Sequence, residues 1–208
     1  MIIYALLLLT LLTVCALAVY LFFGRLSQFP CRTIRDVPAF LQPVDSMNLM
    51  ELLDPQTESV LHSSMTQTAL RCEQQRSLHY VREYMKRMAH NANVLLEWSN
   101  AELNRTMVGK QVDDDSPEYI EAARKLHAAA TEFRLYALLS LVKIQLWLVF
   151  RTRTWLPFAP PSLAELRQVC GMRFHALYSN LTDAASSLGQ YYGVEFREEL
   201  SRAWAAAA

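Results

Sequence analysis

From Gln56 to Val108 the chain contains neither proline nor glycine, and from Glu118 to Leu156 it again contains neither. Those two residues are the strongest local breakers of regular structure, so two uninterrupted stretches of this length point to long helices. Apolar residues recur in both at spacings of three and four. The first seam is Leu78, Val81, Met85, Met88, Ala92 and Leu95; the second is Ile120, Ala123, Ala130, Phe133, Ala137, Leu141, Ile144 and Leu148. A third seam, Leu163, Leu166, Cys170, Phe174, Leu177, Leu181, Ala184 and Leu188, follows a proline-rich break at Pro157-Phe158-Ala159-Pro160-Pro161. This is the period of amphipathic helices. No alternating run and no Asn-Gly or Asp-Gly turn signals a strand or hairpin.

The boundaries carry their own chemistry. Asp54-Pro55 and Ser116-Pro117-Glu118 each place a capping side chain ahead of a proline whose missing N–H costs nothing at a helix start. Asp113-Asp114-Asp115 adds negative charge where the helix dipole favours it, and lacks the alternating ligands and glycine of a calcium loop. Ser162-Leu163-Ala164-Glu165 is a capping box. Gly189 or Gly193 closes the third helix, and a short amphipathic helix spans 194–204. The first seam thins toward its start, at Thr66-Gln67-Thr68 and from Arg71 to Arg76, which marks a solvated end or a break.

These features predict an all-α fold, with an N-terminal single transmembrane helix followed by an antiparallel bundle of three long helices plus short ones. The anchor covers 1–24, a juxtamembrane connector with one short helix at 45–53 covers 25–54, and the bundle covers 55–208. Its helices are expected at about 55–108, 117–154, 162–191 and 194–204. Val37, Phe40, Leu41 and the apolar residues of 47–53 should pack the connector along the domain.

The anchor rests on residues 2–23, which carry no charge and as a helix would span about 33 Å, the thickness of a bilayer core. Ala16-Leu17-Ala18 has the form of a signal cleavage site. No Lys or Arg precedes the run, however, and it continues through Phe23, so a signal-anchor is the better reading. Arg25, Arg32 and Arg35 follow the run and place the bulk of the chain on the cytoplasmic side of the plasma or inner membrane.

Leu135 to Phe150 raises a separate question, since Lys143 is its one charge. On a helical wheel Tyr136, Ser140, Lys143 and Trp147 form a narrow polar stripe, and the rest of the circumference is apolar. Such a helix is covered on several sides, by bundle neighbours, by lipid or by a partner. The residues expected at a membrane or partner contact are Leu141, Ile144, Trp147, Leu148, Arg151, Arg153 and Trp155; Trp147, Arg151, Arg153, Trp155 and Phe158 have the composition of an interfacial belt.

Catalytic signals are sparse. None of the five histidines, His62, His79, His90, His127 and His175, has a glutamate three residues before it, which excludes the usual di-iron bundle pattern. His79, Glu83 and His90 form a weak polar-cluster candidate on one helix. Cys15, Cys31, Cys72 and Cys170 are scattered without metal or disulfide spacing. The 20 basic and 20 acidic residues are interspersed, so nucleic acid is not an expected partner. The sequence therefore predicts a membrane-anchored helical interaction or scaffold module, without catalysis, cofactor or metal. It would meet the bilayer through 2–23 and a protein partner or second copy through 135–158. Two alternatives stand beside it: a bundle enzyme or cofactor carrier using His79, Glu83, His127 and His175, and a small integral membrane component whose second lipid-contacting segment is 135–158.

Overall fold

A computed structural model of the chain describes residues 36–44, 66–107, 117–151 and 171–205, all within one compact unit that spans Ile34–Ala208. Among them every regular element is helical. The run 2–23, the segment 45–53, the Asp54-Pro55 cap, Asp113–Asp115, the Pro157–Pro161 break, the capping box at Ser162 and the belt residues Arg153, Trp155 and Phe158 lie outside the described residues. No helix among the described residues is long and apolar enough to cross a membrane.

A short helix, α1 (Val37–Phe40), precedes two long ones, α2 (Gln67–Met107) and α3 (Pro117–Arg151). Next come α4 (Met172–Gly189), a single 3-10 turn (Gln190–Tyr192) and α5 (Val194–Ala205). The α2–α3 and α3–α4 interfaces are the largest, and α1 packs on both α2 and α5.

Side-chain contacts fix the directions. Glu102 meets Tyr119, and Asn91 meets Tyr178, which in turn stacks on Phe133. Moving down α2 from 102 to 91 therefore means moving up α3 from 119 to 133, so the two are antiparallel. Tyr119 also lies beside Tyr191 and Tyr192, while Phe133 and Tyr136 lie beside Phe174, so α4 runs antiparallel to α3. Because α4 begins level with Tyr136, α3 continues past its start by about four turns.

The core is built from the seams. Leu78, Val81, Met85, Met88, Ala92 and Leu95 of α2 and Ala123, Ala130, Phe133, Ala137 and Ile144 of α3 are buried. On α4 the buried face drifts by one position, to Phe174, Tyr178, Leu181, Ala185 and Leu188, leaving Leu177 and Ala184 half-buried. A helix of 3.6 residues per turn rotates away from a strict repeat, and here the larger tyrosine takes the inward position.

Two of the expected helices are not continuous. Thr66 is non-helical, so a helix unbroken from 55 to 108 does not form and α2 opens at Gln67. Thr66, Gln67 and Thr68 thin the apolar seam at this point, and packing rather than propensity stabilises most helices. Gly171 is also non-helical, at φ −84° and ψ −135°, so the helix expected from 162 to 191 is interrupted there. Glycine has the least backbone preference for helix, and this one is buried at the break. At the other end α4 tightens into the 3-10 turn and stops at Gly193, whose φ of +94° is costly for any residue with a Cβ.

Candidate interaction surface

The apolar stretch of α3 divides into two faces. Leu141 and Ile144, expected at a contact surface, point into the core, and Ser140 of the expected polar stripe is buried with them. The outward face carries Leu135, Leu139 and Val142, which are 57%, 61% and 42% exposed. At i, i+4 and i+7 they align as one stripe on a single side of the helix. Scattered exposed apolar residues are ordinary on a protein surface, but three in register on one helix are the form of a contact strip. The exposed surface thus lies one helix side away from the residues that the sequence nominates.

Lys143 and Trp147 border this stripe. The Lys143 ammonium sits 5.0 Å from the centre of the half-buried Trp147 ring, a cation–π pair that leaves the charge exposed. The side chains of Leu148 and Arg151 lie outside the described residues, as do Arg153 and Trp155.

The histidine candidates are not brought together. His79 and Glu83 are exposed on α2, where the Lys86 Nζ donates to Glu83 at 2.7 Å and holds its carboxyl below the ordinary range. His90 is half-buried, with Nε2 3.1 Å from the carbonyl oxygen of Phe40. His127 and His175 are half-buried on α3 and α4. Among the described residues no three His, Cys, Asp or Glu side chains converge as a metal site would require. Cys72 is exposed with its thiol free.

Two buried polar clasps emerge instead. In the first, Asn91 on α2 accepts from the Gln42 N–H at 2.7 Å, donates to the Gln42 carbonyl at 2.8 Å, and donates its second amide hydrogen to the Tyr178 hydroxyl at 2.9 Å. One side chain thereby ties the connector, α2 and α4 together. Burial pushes the Tyr178 phenol up to about 12.

The second clasp joins the ends of α2 and α3 to the 3-10 turn. The buried Glu102 carboxylate accepts from the Tyr119 hydroxyl at 2.5 Å, and the Arg105 Nη1 approaches its two oxygens at 3.3 and 3.5 Å. Tyr119 and Tyr192 hydroxyls are 2.8 Å apart. Tyr119 has one hydrogen, committed to Glu102, so Tyr192 is the donor between them. Burial first, and the bond to Glu102 second, raise the Tyr119 phenol to about 12, and burial raises Tyr192 further still. Trp98, Tyr191 and Phe196 pack around this group with ring centres 5.3 to 5.7 Å apart. With its carboxylate paired to Arg105 and Tyr119 and its rings in contact, the cluster closes the bundle end.

Sequence reasoning passes over both clasps. Asn91 sits in a helix interior, where asparagine reads as a mild helix disfavourer, and Glu102 reads as a solvated charge; only their distant partners reveal them. No protein-family model matches the chain, and no curated protein or solved structure is similar enough to be counted as a relative.

Proposed function

We propose that this protein is a membrane-anchored helical adaptor that holds a protein partner on the outward face of α3, without catalysis. What carries the reading is the exposed stripe Leu135, Leu139 and Val142, because nothing in the bundle core requires apolar side chains on that side. The uncharged run 2–23 supports an anchor, with the arginines after it favouring a cytoplasmic bundle. An anchor raises the local concentration of a weakly adhesive face, so a strip of three residues suffices for a partner held at the same membrane.

The test replaces Leu135, Leu139 and Val142 by glutamine together in the full chain, which preserves helix propensity and removes the apolar strip. Wild type and variant should both resist alkaline extraction from membranes, while only the wild type should form cross-linked complexes. Release of the wild-type chain by alkali would remove the anchor from this reading, and equal cross-linking of both would remove the stripe. Lipid contact is the second reading, favoured by Lys143 and Trp147 beside the stripe. It predicts quenching of Trp147 by brominated lipid, with cross-linking absent from both chains.

A further inference from the structure

Residues 36–44 are held in an unusual way. Three hydrogen bonds between them and the long helix use their backbone: the N–H and carbonyl of Gln42 on Asn91, and the carbonyl of Phe40 on His90. The Gln42 residue itself is exposed. Asn91 treats Gln42 as a neighbouring β-strand would, satisfying both main-chain groups of one residue, which is how extended peptides are gripped without regard to that residue's side chain.

Selectivity comes from three apolar side chains. Val37, Leu41 and Val44 are buried on either side of the grip, while Ala39, Gln42 and Pro43 are exposed. The helix Val37–Phe40 packs on both α2 and α5. A helix of four residues is far below the length that sustains itself in water, so the shape of this segment is imposed by the surface beneath it. Pro38 and Pro43 reduce the conformational freedom that must be given up on seating.

We propose that the surface of α2 and α5 beneath residues 36–44 is a binding site for a short protein segment with three apolar side chains in this spacing, gripped by Asn91 through its backbone, and that residues 36–44 occupy it in cis as a competing pseudo-ligand. Because the strap and α2 belong to one chain, an incoming segment must outcompete an intramolecular ligand. This inference does not depend on the α3 stripe, and either can fail alone.

The experiment uses the full chain with Leu41→Asp, which places a charge under the strap and leaves the α2 and α5 surface untouched, and a fluorescent peptide of the native 34–46 sequence. The variant should bind the peptide saturably, by anisotropy, at least ten-fold more tightly than the wild-type chain. A peptide methylated on the Gln42 backbone nitrogen should bind at least ten-fold more weakly, whereas Gln42→Ala in the peptide should change little. Hydrogen exchange over 36–44 should rise in the variant. No binding by a folded variant, binding equal to wild type, indifference to the N-methyl group, or unchanged exchange would each overturn the proposal. Should Leu41→Asp fail to fold, Val44→Asp displaces the other end of the strap and carries the same expectations.

Discussion

The inward and outward faces of α3 are both apolar, yet they do different things. Phe133, Ala137 and Ile144 are buried, with Phe133 stacked 4.9 Å from Phe174 and 5.3 Å from Tyr178. Leu135, Leu139 and Val142, on the same turns, face outward. Hydrophobicity alone does not separate them; position relative to the seam does. A helix that is apolar around most of its circumference carries one face for the fold and another available for contact.

That contrast can be broken or sharpened by substitution. Phe133→Ala, on the inward face, should cost about 3–5 kcal/mol through lost packing and the cavity it leaves, measured as a shift in denaturant midpoint of the full chain. A loss below about 1 kcal/mol would mean that the inward face is not the core. Next in size, Asn91→Leu removes the partners of Gln42 and Tyr178. It should cost about 2 kcal/mol, less than the sum of its bonds because water can reach Gln42. It should also increase hydrogen exchange at 36–44 before it affects 123–133.

The alkaline limb of stability comes third. Tyr119 and Tyr178 keep their protons to about pH 12 in the folded state, while unfolded tyrosines lose theirs near pH 10. A folded pKa raised above the unfolded one gives stability that is fully present below about pH 10 and is lost as pH rises toward 12. Tyr178→Phe should therefore flatten the fall in stability between pH 10 and 12; an unchanged slope would place the titration elsewhere. The outward-face change Leu139→Gln should move stability by no more than about 0.5 kcal/mol, yet lower the yield of cross-linked complex. A large stability loss there would erase the distinction between the two faces. Smallest of all, Glu83→Gln breaks an exposed pair with Lys86 and should shift the midpoint by a few tenths of a kcal/mol at most, about the value of one surface ion pair.

The inward face of the two long helices is legible in the sequence because a period near 3.6 needs no tertiary information. Leu78, Val81, Met85, Met88, Ala92 and Leu95 are named by spacing and are all buried. The helix ends are less legible. At Thr66 the loss of apolar spacing is visible, but whether it means a solvated turn or a stop depends on what packs there. At Gly171 one glycine within an otherwise regular seam decides the start of α4. The contact surface is the least legible part: the wheel shows that α3 is broadly apolar but not which side its neighbours cover, so Leu141 and Ile144 were as eligible as Leu139 and Val142.

Periodicity, capping chemistry and the placement of proline and glycine act over a few residues, and they alone determine that this chain is helical and which stripe of each long helix turns inward. The clasps belong to another scale. Asn91 finds Gln42 and Tyr178, and Glu102 finds Tyr119, across 49, 87 and 17 residues of sequence. A buried amide or carboxylate is tolerable only when such partners arrive, and their arrival is set by how the helices stack and cross. Which polar groups lock the bundle, and which apolar ones are left facing outward, was decided by that packing.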